Sequence, residues 1–207
     1  MMKKRKRKRK AKTNYQTLNK RHNIFGLVII ILLSISCSSG QQVNSGESNA
    51  CVISKSLDVQ IENINTNSKV IIKNSEDNCI INLLDSLTRF AIKGNDDKYL
   101  SCIESFAKVS DGYVSEYFLE IGAELFYKNF FNSIMYIFKK RYSEDNYLEK
   151  VLIEAISMEM SDADDIFSYK KKLNVFIDNE IKKSNYSKEH LEYINLLKSK
   201  FDPNLFD

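Results

Sequence analysis

The chain has 207 residues and a formal net charge of +4, but eleven of its basic side chains lie within residues 1–22, and residues 1–36 contain no Asp or Glu. From residue 37 onward the sequence has 20 basic and 27 acidic side chains, which gives a net charge of −7. This charge argues against a nucleic-acid partner, because phosphate backbones are bound by clustered Lys and Arg. An aromatic content of 11% argues against global disorder, because it supplies enough large apolar surface for a core.

The first 40 residues follow the order of an export signal: a basic segment, an apolar run and a stretch of small residues. The basic segment ends near His22, and the apolar run extends from Ile24 to Leu33. A run of about ten apolar residues is shorter than the roughly twenty that a membrane-spanning helix needs. We therefore predict that residues 1–36 are a signal peptide. The basic segment alone would also suit a nucleic-acid-binding tail, but the apolar run that follows at once disfavours this interpretation.

The residues around Cys37 are similar to a known protein class. The segment Leu33-Ser34-Ile35-Ser36-Cys37 resembles the lipobox of bacterial lipoproteins, in which an apolar residue and two small residues precede a cysteine, although Ser34 stands where that family usually has Leu. The resemblance implies that Cys37 carries a diacylglyceryl group and that the signal is cut just before it. Two alternatives stay open: an uncleaved membrane anchor, and an ordinary signal peptide cut near Ser36 without a lipid.

Two segments of different composition lie between Cys37 and the predicted helical domain. Residues 38–50 are polar and rich in Ser and Gly, a composition typical of a flexible tether, so residues 37–51 are predicted to be a lipidated cysteine and its tether. Residues 52–74 are ambiguous. Leu57, Val59 and Ile61 alternate with polar residues, which is the period of a strand. A small β-hairpin or an irregular extended strip is therefore expected before the helical domain.

From Asn78 onward the apolar residues recur at helical spacing, which predicts an all-α domain over residues 75–207. Seven apolar stripes are separated by short polar joints, and these stripes run through residues 80–91, 99–107, 114–125, 131–138, 148–156, 166–177 and 191–201. Candidate caps stand at several of the joints, with Asn95 or Asp96, Ser143 and Ser187 before a stripe and Gly94 after one. Because the joints are short, consecutive helices are expected to be antiparallel.

The spacing of the helices leaves two architectures open. Alternate helices are expected to begin near residues 78, 112 and 145, in steps of 34 and 33 residues, which matches the length of helix-pair repeats. The residues typical of tetratricopeptide repeats are missing, because the sequence has no Trp and its one proline, Pro203, closes no unit. An antiparallel bundle of about seven helices is therefore somewhat favoured over a short helix-pair solenoid.

The cysteines permit at most one disulfide besides the lipidated Cys37. Cys51, Cys79 and Cys102 remain, and exported proteins meet an oxidising compartment. Cys79 and Cys102 flank the turn at Gly94 unequally, so at about 1.5 Å per residue they would be offset by roughly 10 Å in a helical hairpin, too far to bridge. Cys51 with Cys79 is the better pair, and three unpaired thiols are the alternative.

Acidic side chains form the only clusters of chemical interest in the sequence. Glu116, Glu120 and Glu124 recur every four residues and share one helix face, which is a candidate binding face for a basic partner and otherwise a solvated surface. Residues 162, 164 and 165 are all Asp but lack the spacing and glycine of a calcium-binding loop. His190 is expected to be a solvated surface residue. The sequence predicts no catalytic residue, no metal ligand and no cofactor.

These features predict a lipid-anchored protein of the bacterial cell envelope whose partner is another protein or a peptide. The membrane is contacted through the lipid on Cys37, and the mature domain is interpreted as a non-enzymatic binding module. Two other functions stay open. An immunity-type protector would also be small, acidic and membrane-held, and would neutralise a toxic partner. An envelope enzyme that uses acidic side chains would need a deep pocket in which carboxylates converge.

Overall fold

The computed structural model describes residues 57–94 and 96–206, and this part of the chain folds into α-helices with no strand. The helices, in chain order, are α1 Leu57–Asn74, α2 Asp77–Gly94, α3 Asp97–Ala107, α4 Gly112–Lys128, α5 Phe130–Lys139, α6 Tyr147–Ser161, α7 Ile166–Lys183 and α8 Lys188–Ser199. The all-α fold predicted from the apolar stripes is confirmed. Within the described ranges, no helix combines the length and the apolar character needed to cross a membrane.

The prediction of a β-hairpin or extended strip over residues 52–74 is wrong for the part of it that the structure describes. Residues 57–74 form α1, which adds an eighth helix and moves the start of the helical domain upstream of residue 75. Helix α1 is kinked at Asn67, whose φ of −127° and ψ of 19° are not helical. Its buried side chains are Ile61 and Ile64 before the kink, which share one helix face, and Ile71 after it. Packing of this face against α3 overrides the strand propensity of its β-branched residues.

Side-chain caps define where several helices begin. Asp96 accepts a hydrogen bond from the backbone N–H of Lys98 at 3.0 Å and starts α3, as its place before the second stripe predicted. Ser187 caps α8 in the same way, at 3.3 Å from the N–H of His190. The predicted cap Ser143 is wrong, because α6 begins four residues later, after Asn146. Tertiary contacts described below hold that helix start.

The face of α5 that is buried differs from the face predicted by the apolar stripe over residues 131–138. Phe131 was expected inside α5 but is 40% exposed, whereas Phe130, Ile134 and Ile137 are buried. The helix begins at Phe130, directly after the buried Asn129 that ends α4. The Asn129 side chain donates to the Ala91 carbonyl of α2 at 3.1 Å and so fixes the joint between the two helices. This joint selects which face of α5 turns inward.

The core is built around the contact between α4 and α6. Gly122 lies at their closest approach: a Cβ placed on it would stand 2.7 Å from both the Ala155 Cβ and the Val151 carbonyl oxygen. Helix α6 also packs against α3 and α7, so it is surrounded on several sides. The largest side chains that are fully buried come from α2 through α6, and they include Leu84, Phe106, Phe126, Ile134 and Leu152.

The contacts between helices favour a bundle over a solenoid. In a solenoid each helix pair touches only the neighbouring pairs. Here α3 of the first predicted pair packs against α6 of the third, and α5 packs against α8. These contacts close the helices around a common core, so the similar spacing of the helix starts reflects similar helix lengths.

Candidate functional site

The acidic face predicted on α4 is present at the surface. Glu116 and Glu120 are exposed, and Glu124 is half-buried with its carboxylate 2.7 Å from the Lys128 ammonium. Between them the hydroxyl of Tyr117 donates a hydrogen bond to Asp85 of α2. Burial raises the pKa of Tyr117, and the negative charge of Asp85, Glu120 and Glu124 adds to the effect. The face is therefore acidic, but one of its three predicted members is already paired within the protein.

Of the four cysteines, Cys79 and Cys102 lie in the described part of the chain, and Cys37 and Cys51 lie outside it. Cys79 is disulfide-bonded. Cys51 as its partner stays a prediction. Cys102 is a free, buried thiol that donates to the Ile61 carbonyl at 3.7 Å, and burial raises its pKa to about 12. Because the thiolate is the reactive form, Cys102 serves as a small packing residue.

The remaining candidates have structural roles. Asp165 caps α7 by accepting from the N–H groups of Phe167 and Ser168 at 3.0 and 3.1 Å, and no His, Cys, Asp or Glu group within the described ranges could hold a metal ion. His190 is half-buried and less solvated than expected. Its ring nitrogen Nδ1 lies 2.8 Å from the Ser187 hydroxyl, and its ring packs on Phe138 with centroids 4.2 Å apart. This contact attaches the start of α8 to α5.

Two buried carboxylates that the sequence analysis missed hold the N-terminus of α6. Glu104 of α3 accepts from the Tyr136 hydroxyl at 2.7 Å, from the ammonium of Lys140 and from the backbone N–H of Leu148 at 3.3 Å. A carboxylate is favoured at this position because the first N–H groups of a helix lack partners within it. Glu104 lies four residues after Leu100 on the buried stripe of α3, and this polar interruption was the signal that could have revealed it.

The second carboxylate, Glu149, belongs to α6 itself. It accepts from the Asn146 side chain and the Tyr193 hydroxyl, both at 2.8 Å, and from the Lys200 ammonium at 2.5 Å. Glu149 thereby ties the start of α6 to α8. Both carboxylates are surrounded by protein donors and retain 5% and 8% exposure, so they stabilise the helix arrangement and offer no open site to a substrate.

Two open grooves flank α8. The first, which we call the aromatic groove, lies between the C-terminal end of α5 and α8 and has a volume of about 410 Å³. It is lined by aromatic, aliphatic and charged side chains, namely Phe138, Arg141, Tyr142, Glu189, Glu192, Tyr193, Leu196 and Lys200. The Arg141 guanidinium lies 3.8 Å from the ring centre of Phe138 and 4.5 Å from that of Tyr142. Tyr142 itself is 90% exposed.

The second groove, which we call the lysine groove, lies on the other side of α8. It has a volume of about 440 Å³ and is bounded by α7, α8 and the end of α6. Its floor is apolar and its rim is polar, with Met160, Leu173 and Phe201 below and Lys170, Asn174, Asn195, Lys198 and Ser199 above. Volumes of this size are typical of binding pockets. Neither groove was visible in the sequence, because the aromatic groove needs α8 to lie beside α5 and the lysine groove needs α7 and α8 to lie beside the end of α6.

No family model, no curated protein and no solved structure matches the chain.

Proposed function

We propose that this protein is a lipid-anchored binding protein of the bacterial cell envelope that captures another protein or a peptide at the aromatic groove. The observation that carries the proposal is that the Arg141 guanidinium lies over the ring of Phe138 and over the exposed ring of Tyr142. Tyr and Arg are enriched among the residues that dominate the energy of protein interfaces, and a fixed guanidinium offers planar donors to a partner's carboxylate or carbonyl groups.

The inner wall of the groove is held in place by contacts within the protein. The Phe138 ring packs edge-on against Tyr193 of α8, with centroids 5.5 Å apart, as well as on His190. Tyr193 is fixed in turn by its hydrogen bond to Glu149. Side chains that are already ordered lose little conformational entropy on binding, so this arrangement supports a binding role.

The carboxylates of this protein support binding over catalysis. Glu104 and Glu149 are enclosed by hydrogen-bond donors, and the two carboxylates that reach the aromatic groove, Glu189 and Glu192, stand at its open rim. Their side chains are 75% and 66% exposed and face Arg141 and Lys188, each at 3.8 Å. An enzyme that works through paired carboxylates needs them converged in a site from which water is largely excluded. We therefore infer that the protein is a binding module.

Membrane attachment through Cys37 is tested by metabolic labelling with a fatty acid. Cys37→Ser should abolish the label and leave an uncleaved precursor, because the lipobox-like segment then has no thiol to modify. Cys51→Ser is the matched control, and it should be labelled and processed normally. Labelling that persists in Cys37→Ser would refute the anchor.

Binding at the aromatic groove is tested by placing a photo-cross-linking amino acid at position 142 in living cells. The control position is Tyr113 at the start of α4, a second exposed tyrosine. Position 142 should give a discrete adduct that position 113 does not give, and Leu196→Asp in the groove should remove that adduct. Adducts of equal yield at the two positions would count against the groove. A toxic protein in the adduct would identify the immunity-type protector as the specific role.

A further inference from the structure

Charge is distributed unevenly between the C-terminal helices and the rest of the mature sequence. Residues 37–165 contain 12 basic and 21 acidic side chains, whereas residues 166–200 contain eight lysines and four acidic residues. The stretch with excess lysine covers α7 and α8. The lysine groove between these two helices is thus a basic site on an otherwise acidic protein.

The lining of the lysine groove is entirely apolar, amide, hydroxyl or ammonium in character. None of the described residues that line it is acidic. Lys170 and Lys198 stand on opposite walls, and neither forms an ion pair within the described part of the chain. Other lysines of the same helices do: Lys183 lies 2.6 Å from Glu180, and Lys188 lies 3.8 Å from Glu192. The groove therefore has two lysines without an ion-pair partner in its lining and no acidic residue there to balance their charge.

We propose that the lysine groove binds an acidic peptide segment with regularly spaced apolar side chains, contributed by a partner protein. The apolar side chains of such a segment would cover Leu173 and Phe201 on the floor, and its carboxylates would meet Lys170 and Lys198. Asn174 and Asn195 on the two walls would donate to its backbone carbonyls. Apolar anchors in a groove with polar contacts at the rim are the usual mode by which an amphipathic segment is recognised. The inference rests on the proposed binding role but concerns a separate site.

A membrane surface fits the lysine groove less well than a peptide does. The groove is recessed between helices, so a flat lipid surface would reach its rim and not its apolar floor. The outward ridge of α7 presents exposed Phe167, Lys171 and Val175, but it also carries exposed Asp178, and the helix begins directly after exposed Asp165. The groove lacks acidic residues in its lining, whereas the outer ridge of α7 does not lack them. A peptide can enter the groove, and a flat membrane surface cannot.

The test measures the binding of labelled peptides to the full chain by fluorescence anisotropy. The probes are peptides of about 16 residues with Leu or Phe at helical spacing and Glu elsewhere, and the same peptides with Lys in place of Glu. Acidic peptides should bind with a Kd below about 1 mM, and the charge-reversed set should not. Lys170→Glu with Lys198→Glu should weaken binding by about tenfold or more. Lys171→Glu with Lys182→Glu, on the outer side of α7, should change it by less than about twofold.

Three results would overturn the inference: no acidic peptide binds, both double variants weaken binding equally, or phosphatidylglycerol vesicles compete with the peptide through Lys171 and Lys182. The variant Tyr142→Ala separates the two sites. Peptide binding should be unchanged in it, because Tyr142 lies in the aromatic groove. An adduct at position 142 without any peptide binding would remove this inference and leave the proposed function standing.

Discussion

Gly122 allows the core helices α4 and α6 to approach each other closely, because it has no side chain. A methyl group there would fall 2.7 Å from two atoms of α6, one of which is backbone and cannot rotate away. Gly122→Ala should therefore lower the free energy of unfolding by about 1–3 kcal/mol, as overpacking of a tight core does. Gly94→Ala is the control, because its new methyl would lie 3.5 Å from the Tyr99 ring in ordinary contact. Urea unfolding that shows equal losses for both would contradict the close α4–α6 contact.

Buried thiol and phenol groups make the fold sensitive to alkaline pH. Burial raises the pKa of Cys102 from 9.0 to about 12 and that of Tyr127 from 10.0 to about 12, and it also raises the pKa of Tyr136. Between the ordinary and the raised pKa, the unfolded chain loses a proton that the folded chain keeps. The stability that these groups contribute should therefore be fully present below about pH 9 and be lost as the pH rises towards 12. Urea unfolding at pH 8, 9.5 and 11 should show this decline, and Cys102→Ala should make it shallower. A stability that rises over that range would contradict the burial of these groups.

At the scale of single helices, α6 illustrates how a helix start can depend on tertiary contacts. Its N-terminus is held by Glu104 of α3, which also balances the charge of Lys140. Glu104→Ala leaves Tyr136 and the N–H of Leu148 without their acceptor, and it should cost about 2–4 kcal/mol of unfolding free energy. Glu120→Ala, on the exposed face of α4, should cost less than about 0.5 kcal/mol. A Glu104→Ala variant as stable as Glu120→Ala would show that the α6 start does not depend on this network.

Helices with a local signal could be predicted from the sequence, and those fixed by neighbours could not. The stripes of α2, α3, α4 and α6 follow from the spacing of their apolar residues, and Asp96 and Ser187 are caps that act within a few residues. The helical state of α1 was missed because its three buried isoleucines are dispersed among β-branched and Asn residues. The orientation of α5 was missed because it depends on Asn129, which reaches across to α2. In each case the deciding contact joins residues distant in the chain.

At the scale of the whole molecule, the sequence predicts a helical domain and one acidic face but not the two grooves between helices. The aromatic groove requires the short turn after α5, with Arg141 and Tyr142, to lie beside α8, more than forty residues further along the chain. The lysine groove requires α7 and α8 to leave space between them. The predicted acidic face could be identified because Glu116, Glu120 and Glu124 are neighbours on one helix. Sites within one element are readable from periodicity, and sites between elements are not.

The membrane-anchored binding role is tested most directly by hydroxyl-radical footprinting of the protein in its own cell envelope and after purification. Tyr142 and Tyr113 are 90% and 60% exposed and have the same side-chain chemistry, so each serves as a reference for the other. If a partner occupies the aromatic groove, Tyr142 should be oxidised more slowly in the envelope than in the purified protein, while Tyr113 keeps its rate. Equal oxidation of Tyr142 in the two preparations would contradict the proposed function.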